Sequence, residues 1–445
     1  MRLPGFLAGT RLAGQVGAGV SSNDLAKRRT SSFWGRLGPG LITGAADDDP
    51  SGIATYSQVG AGFGYGILWT AFFTFPLMVG IQTVSARIGR VTGQGLAANI
   101  RRHYPPWLLY GIVGLLLLAN TINIAADIGA MGAALKLLIG GPAHWYAIAF
   151  GLISLLLQVF VPFSRYAPLL KVLTLALLAY VATVFVVQVP WADVVAQTLL
   201  PSLNFSADYL LAVVAVFGTT ISPYLFFWQA SQEVEEQRAA PGEEPLLAAP
   251  TQAAAELRRI TVDTCVGMGF SNLVAFCIML TAVVIFHGHG ITDIQTSAQA
   301  AQALRPLAGD FAFALFAAGI VGTGLLAVPV LAGSAAYAVA ETFKWHTGLG
   351  RQLLQARGFY LILSVASLLG VALNFTPVDP IRALFWSAVI NGVISVPIMI
   401  VMMLMAVRRD IMGTFAISAR LTVLGWLATL SMAAVVLAML LVSWR

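Results

Sequence analysis

The sequence DDDPSG, at residues 47–52, interrupts an apolar segment that extends from residue 37 to residue 63. Ionised carboxylates at membrane depth are costly and normally face a cavity or a partner. Pro50 removes a backbone donor, and Gly52 loosens a helix. Irregular backbone survives inside a bilayer only where it lines protein or a water-filled cavity. The segment therefore predicts a transmembrane helix that is broken at a buried carboxylate site.

A second interruption, GTTISPY at residues 218–224, lies in the sixth apolar segment and again combines a proline with small polar residues. Taken alone, an intramembrane proline indicates no more than a kink. The first and sixth segments, however, are equivalent positions in a five-plus-five inverted repeat. Interruptions at matching positions point to the central site of a transporter. Because residue identity between the halves is not evident, the repeat is an inference from topology.

The composition indicates a membrane protein. Of 445 residues, 58% are hydrophobic and 10% are charged, whereas soluble domains carry about 25% charged residues. The basic residues behind the net charge of +6 are scattered through short loops, unlike the clustered basic face of a nucleic-acid-binding protein. Cys265 and Cys277 share one apolar segment, which implies neither a disulfide framework nor a thiolate metal site. With no nucleotide-binding loop, catalytic triad or haem motif, the sequence predicts no enzyme and no cofactor.

Apolar length predicts about eleven transmembrane helices. Their expected bounds are 37–63, 66–86, 106–135, 145–161, 167–187, 209–230, 262–286, 311–340, 358–373, 383–407 and 421–442. We group residues 37–187, with the first five helices, into one repeat and residues 207–407, with the next five, into the other. Residues 421–443 then form an eleventh helix outside the repeats.

Basic residues orient these helices, because Lys and Arg favour cytoplasmic loops. They fall in the N-terminal tail or after even-numbered spans, at Lys27 to Arg36, Arg87 to Arg102, Arg165 with Lys171, Arg258 with Arg259, Lys344 with Arg351, and Arg408 with Arg409. This pattern places the tail, residues 1–36, in the cytoplasm, and the short loops favour a bacterial inner membrane. The acidic, Pro- and Ala-rich loop at residues 232–258 is expected to be flexible.

Several short motifs stand out along the chain: GPG at residues 38–40 followed by DPSG at 49–52, IGRVTGQGLA at 88–97, ADI at 126–128 and RRDIMG at 408–413. They resemble motifs of the NRAMP family of divalent-metal transporters. The first-helix motif and the stretch after the second helix are specific, and the others are supporting. The resemblance covers nearly the whole membrane region. It implies an all-α membrane protein of the LeuT-type fold, with broken helices 1 and 6, that carries divalent metal.

The metal site implied by this resemblance departs from the family pattern in both broken helices. Asp49 keeps the metal-binding carboxylate, but the usual Asn is Gly52, and the usual Met-Pro-His is Ser-Pro-Tyr at residues 222–224. A hydroxyl thus replaces a thioether, the ligand type that favours softer metals. These substitutions resemble the NRAMP-related magnesium transporter branch. Mg²⁺ is a hard ion that takes oxygen ligands and dehydrates reluctantly.

The proton route that the resemblance implies is depleted. The family's later His of the sixth helix is Gln229 here, and its acidic residue three positions after Asp127 is Ala130. Asp127 is the main remnant of that route. We therefore expect transport without proton coupling.

The predicted metal site draws on both interruptions. Its members are Asp48, Asp49, Gly52, Thr219, Ser222 and Tyr224, with Asn272 of the seventh span as a contact to ion-bound water. We expect a largely hydrated Mg²⁺ to be imported by alternating access, with Mn²⁺ sharing the path. For Asn272 and Asn391, a hydrogen bond across helices is the alternative. For Asp47 and Asp48, the alternative is a vestibule wall.

Three other functions stay open at this point. The first is a proton-coupled Mn²⁺/Fe²⁺ symporter of the same family, which Asp49 and Asp127 favour and Ala130 disfavours. The second is a Na⁺-coupled organic-solute transporter of the same fold, although the aspartates at residues 47–49 would repel a substrate carboxylate. The third is a metal sensor, which the absence of an appended signalling domain disfavours.

Overall fold

A computed structural model describes residues 38–162, 165, 175–201, 203–294, 297–305, 309–376 and 379–443. All regular secondary structure within these ranges is helical, as the sequence predicts. The predicted tail at residues 1–36 and the first part of the predicted fifth span lie outside the described residues.

The helices follow one another through short connections. In the first half they are α1 (Pro39–Asp47), α2 (Pro50–Phe63), α3 (Trp69–Thr92), α4 (Leu96–His103), α5 (Pro106–Ile139), α6 (Ala143–Phe160), α7 (Leu178–Val186) and α8 (Trp191–Leu199). In the second half they are α9 (Ala207–Thr220), α10 (Pro223–Ala239), α11 (Ala253–Ile285), α12 (Ser297–Ala301), α13 (Ala312–Thr342), α14 (Arg357–Leu373), α15 (Pro380–Val407), α16 (Arg409–Met412) and α17 (Ala419–Ser443).

Both predicted breaks are present, which confirms the central feature of the expected fold. We call residues 48–49, between α1 and α2, the first break, and residues 221–222, between α9 and α10, the second break. In each, a proline is the first residue of the following helix. Proline is tolerated at that position because its missing N–H would have no partner inside the helix.

The span count depends on these breaks. Among the described residues, eight helices are long and apolar enough to cross a membrane. The two halves of the first broken helix have 9 and 14 residues, and α14 has 17, so each is too short to count alone. The remaining predicted span is the fifth, which is described only in part. The expectation of eleven spans and the repeat boundaries stay predictions.

The broken helices lie at the centre of the bundle. α11 packs along both α1 and α2, while α15 packs against α2, α5 and α9. α5 in turn packs against α13, and α10 lies between α3 and α13. The two breaks are therefore enclosed by long helices on several sides.

The prediction of a flexible loop at residues 232–258 is wrong about where the loop begins and ends. α10 continues to Ala239 and α11 begins at Ala253, which leaves a connection of residues 240–252. The connection is also held in place, because the N–H groups of Leu246 and Leu247 donate to the carbonyls of Arg90 and Val91 at 3.3 Å. Acidic composition suggested a solvated loop, but its carboxylates have basic partners on α3 and α11.

Candidate functional site in the two broken helices

Asp49 is the residue directly before α2, in the first break. Its Oδ1 accepts a hydrogen bond of 2.7 Å from the backbone N–H of Gly52, so the carboxylate caps the helix. A carboxylate at this position satisfies one of the free donors of the first turn and complements the helix dipole. Asp49 is 2% exposed. The break is thus a buried anionic point between two half-helices.

Asp47 and Asp48 extend this charge toward α11. Ser271 of α11 lies 2.6 Å from Oδ2 of Asp47 and 3.1 Å from Oδ1 of Asp48 through its hydroxyl. The second oxygen of each carboxylate is buried and has no hydrogen-bond partner among the described residues. The sequence analysis did not identify Ser271, because the sequence does not show what a single serine in an apolar span contacts.

The second break presents hydroxyls and carbonyls instead of charge. The hydroxyl of Ser222 points back into α9, where it donates to the carbonyls of Gly218 and Thr219 at 2.8 and 2.9 Å. The next hydroxyl, that of Thr220, donates to the carbonyl of Val216 at 2.7 Å. Thr219 and Ser222 are 3% and 2% exposed. This break therefore offers oxygen dipoles in a dry environment.

The two breaks contact one another. The hydroxyl of Tyr224 donates to the carbonyl of Ala46 at 3.0 Å and lies 3.5 Å from Oδ2 of Asp49. A Cβ atom added to Gly52 would lie 3.4 Å from Oγ1 of Thr219. The family resemblance predicted that Asp49, Gly52, Thr219 and Tyr224 belong to one site, and in the structure these residues lie next to one another. Gly52 therefore faces Thr219 at van der Waals distance.

Asp127 of α5 faces the same region. It is fully buried, and neither carboxylate oxygen has a hydrogen-bond partner among the described residues. It lies near Asp49 and the backbone N–H of Ser51. A buried carboxylate without a partner is costly, so its position next to the first break indicates a functional role.

Asn272 is not part of this arrangement, which corrects its place in the predicted site. It lines a cavity of about 290 Å³ together with Phe72, Phe75 and Phe276, while its neighbour Ser271 contacts the first break. Successive residues of a helix point about 100° apart, so only one of the two can face the site. Apolar periodicity did not decide which.

Asn391 forms a hydrogen bond across helices, which was the alternative to a contact with ion-bound water. Its side chain pairs with that of Asn123 at 3.0 and 3.3 Å, which links α15 to α5. Gln229 likewise makes hydrogen bonds between helices. It accepts from Gln82 at 2.6 Å and donates to Thr264 at 2.9 Å.

The structure is closed around the breaks. The aspartates at residues 47–49 and the hydroxyl residues of the second break are at most 3% exposed. In the part of the chain that is described, no three His, Cys, Asp or Glu side chains are grouped so as to hold a metal ion. Exchange of any cargo between this site and water therefore requires helices to move.

A helical bundle in which two broken helices meet at a buried carboxylate defines a membrane transporter. A family model described as Nramp, natural resistance-associated macrophage protein-like, matches residues 40–442. The chain is 28% identical over 405 residues to the divalent metal cation transporter MntH of Deinococcus radiodurans, covering 88% of this chain and 86% of that protein.

Solved structures share the fold. A manganese transporter of Eremococcus coleocola superposes with a TM-score of 0.70 at 19% identity, covering 92% of this chain and 87% of that one. Mhp1, a nucleobase-cation-symport-1 family transporter, superposes with a TM-score of 0.56 at 13% identity, covering 92% of both chains. The LeuT-type fold predicted from the sequence is thereby confirmed. The chain belongs to the Nramp family, whose members are transporters and not enzymes.

Proposed function

We propose that this protein carries a divalent metal ion across the membrane, with Mg²⁺ as a preferred cargo and Mn²⁺ sharing the path. The observation that carries the proposal is Asp49, a buried carboxylate in the first break with the hydroxyl of Tyr224 3.5 Å away. A divalent ion there would neutralise charge that the closed site otherwise leaves uncompensated. The relatives with related sequences are named as divalent metal cation transporters.

The donor atoms favour a hard ion. Asp48, Asp49, Thr219, Ser222 and Tyr224 offer carboxylate and hydroxyl oxygens, and the breaks add carbonyls. Mg²⁺ takes oxygen ligands and keeps several waters, whereas thioether ligands select softer metals. A helix movement that opens the site would leave room for a partly hydrated ion. The second candidate is a proton-coupled Mn²⁺/Fe²⁺ symporter, since one solved structure of the same fold is titled a manganese transporter.

We also propose that transport is not coupled to protons. Gln229, at the place of the family's titratable His, is bonded to Gln82 and Thr264, and Ala130 carries no acid. A divalent ion entering an inside-negative cell gains roughly 4.6 kcal/mol per 100 mV, twice the value for a single charge. The voltage alone can therefore drive import.

The arrangement of basic residues supports a cytoplasmic N-terminus. Arg408, after α15, lies over the ring of Tyr104 at 5.4 Å, while Arg90 of α3 pairs with Glu243 at 2.8 Å. The ends of α3, α10 and α15 thus carry the basic residues on one side of the bundle, as the positive-inside rule expects for a cytoplasmic face. We call this side, where α1 begins, the N-terminal face. We place the protein in the bacterial inner membrane.

Flux into liposomes tests this function. The purified protein is reconstituted with an inside-negative potential, and uptake of Mg²⁺, Mn²⁺ and Ca²⁺ is followed together with an internal pH dye. We expect Mg²⁺ and Mn²⁺ to enter and compete with each other, Ca²⁺ to be excluded, and the internal pH to stay constant. Mn²⁺ uptake that Mg²⁺ does not inhibit and that acidifies the lumen would establish the proton-coupled symporter instead.

A further inference from the structure

The N-terminal half of the first broken helix is held by one carboxylate of α11. Oδ1 of Asp263 accepts from the backbone N–H groups of Gly38 and Leu41 at 3.0 and 3.1 Å, and Oδ2 accepts from that of Gly40 at 2.7 Å. These groups belong to the first turn of α1, whose donors have no partner within the helix. Gly38 provides no side-chain cap of its own. Asp263 therefore caps α1 from a different helix.

Glycines bring the same two helices into backbone contact. A Cβ atom on Gly40 would lie 2.7 Å from the backbone N of Thr264, and one on Gly44 would lie 2.2 Å from the carbonyl oxygen of Gly267. Two small residues four positions apart are a common basis for close helix packing in membranes. The contact depends on the absence of side chains. The attachment of α1 to α11 is thus both polar and steric.

A charged cluster surrounds this attachment. Arg259, one turn before Asp263 on α11, pairs with Glu233 at 2.5 Å and Glu236 at 3.2 Å, both on α10. A Cβ atom on Gly38 would lie 3.2 Å from the guanidinium of Arg259 and from the carboxylate of Glu236. The half-helices α1 and α10 therefore both contact α11 at the N-terminal face.

The other half of the first broken helix, α2, also packs along α11, but its side-chain hydrogen bonds go to other parts of the chain. On α2, Ser51 donates to the carbonyl of Leu384 at 3.0 Å, Tyr56 bonds Thr220 at 3.0 Å, and Gln58 bonds Asp293 at 2.9 Å. The non-helical first break connects these two separately held halves. Such a point can act as a hinge, because a few non-helical residues absorb the backbone change.

We propose that Asp263 is a positioning residue of the transport cycle, which holds α1 on α11 and so keeps the N-terminal side of the site closed. Release of its three hydrogen bonds would free α1 to swing about the first break and open the path from Asp49 to the N-terminal face. The inference deepens the proposed function and rests on it for the identity of the cargo, but the closure itself requires no metal.

Thiol labelling tests the closure directly. In a Cys265→Ser background, which removes the exposed native thiol, Thr43→Cys reports on α1 and Ser57→Cys reports on α2. Both positions are at most 1% exposed. An impermeant maleimide is applied in metal-free buffer to vesicles that present either face. We expect Asp263→Ala to raise the labelling rate of the α1 reporter about tenfold from the N-terminal face, with Asp263→Asn intermediate.

A matched control removes another carboxylate from the same face. Asp410 is exposed and bonded to Arg408, which holds the pKa of Asp410 below its usual range, so it is ionised like a capping carboxylate but lies away from α1. Asp410→Ala should leave both reporters unchanged. An unchanged α1 reporter in Asp263→Ala would overturn the proposal, and so would an equal rise at the α2 reporter, because that indicates general loosening.

A steric variant covers the case in which the Asp263 variants do not fold. Gly40→Ala keeps the carboxylate but places a methyl group against Thr264, so the same one-sided rise in labelling is expected, and its absence would contradict the proposal. The cargo is tested separately. If the Asp263 variants change the labelling rate but no Mg²⁺ or Mn²⁺ is transported, the proposed transport function is wrong and the closure by Asp263 is supported. If transport is normal but the labelling rate does not change, the closure is wrong and the transport function is supported.

Discussion

The two breaks share a backbone plan but differ in charge. In each, a helix ends, two residues leave the helical conformation, and a proline begins the next helix. Both residues of the first break and the last residue of α1 are aspartates, at residues 47–49, whereas the second break consists of Ile221 and Ser222. A cation site can therefore be built with all of its formal charge in one broken helix and neutral dipoles in the other.

The breaks also differ in what satisfies their polar groups. The hydroxyl of Ser222 bonds carbonyls of its own helix. The carboxylates of the first break instead depend on Ser271 of α11, on Gly52 of α2 and on Tyr224 of α10. The carbonyl of Ile221 in the second break accepts from Ser395 of α15 at 2.8 Å. The first break should consequently be sensitive to changes in α2, α10 and α11, and the second to changes in α15.

Removal of charge from the first break should have the largest effect. Asp49→Asn keeps the size of the side chain but removes its negative charge, so we expect metal uptake to fall by about 100-fold, as for loss of a metal ligand. The measurement is Mg²⁺ and Mn²⁺ flux into liposomes at equal protein content. Asp410→Asn is the control and should transport normally. Uptake within about twofold of the unmodified protein would contradict the assignment of Asp49.

A steric change between the breaks should come next. In Gly52→Ala, the new methyl group would lie 3.3 to 3.4 Å from Tyr56, the carbonyl of Asp47 and Thr219. The contact with Tyr56 is the tight one, so we expect the methyl group to crowd the site beside Thr219 and to weaken apparent metal affinity about tenfold.

Gly62→Ala on the same half-helix is the matched control, because its methyl group would meet just the carbonyl of Thr292 at 3.5 Å. Concentration dependence of uptake separates affinity from maximal rate. Equal effects of the two alanines would mean that helix propensity, not contact between the breaks, is responsible.

Loss of the hydroxyl that joins the breaks should have a smaller effect. Tyr224→Phe removes the bond to the carbonyl of Ala46 and the approach to Asp49, and we expect uptake to fall about fivefold, the size of one hydrogen bond. Tyr360→Phe in α14 removes a comparable bond to the backbone carbonyl of Arg351 and should leave transport unchanged. A normal rate in Tyr224→Phe would show that the breaks are held together without it.

The smallest effect should distinguish two neighbours on α11. Ser271→Ala removes the hydroxyl that bonds Asp47 and Asp48, so we expect uptake to fall about threefold. Asn272→Ala alters the separate cavity beside Phe75 and should leave uptake unchanged. A larger fall in uptake for Asn272→Ala than for Ser271→Ala would indicate that Asn272, and not Ser271, belongs to the metal site.

Proline alone did not indicate where a helix breaks. Pro76, Pro329 and Pro397 lie inside continuous helices, whereas Pro50 and Pro223 begin new ones. The breaking prolines follow residues that leave the helical conformation, Asp49 with a carboxylate that caps the next helix and Ser222 in an extended conformation. The sequence predicted the two breaks from the aspartates beside Pro50, from the small polar residues beside Pro223, and from the matching positions of the first and sixth segments.

Hydropathy, proline and intramembrane charge are local properties of the chain, so they were enough to predict the class of fold, the two breaks and the aspartate at the first of them. Helix packing was needed to show that Ser271 and not Asn272 faces the first break, and that Asp263 caps α1. Those choices depend on how each helix is rotated against its neighbours. Apolar residues around most of a membrane helix leave that rotation unspecified until the helices pack.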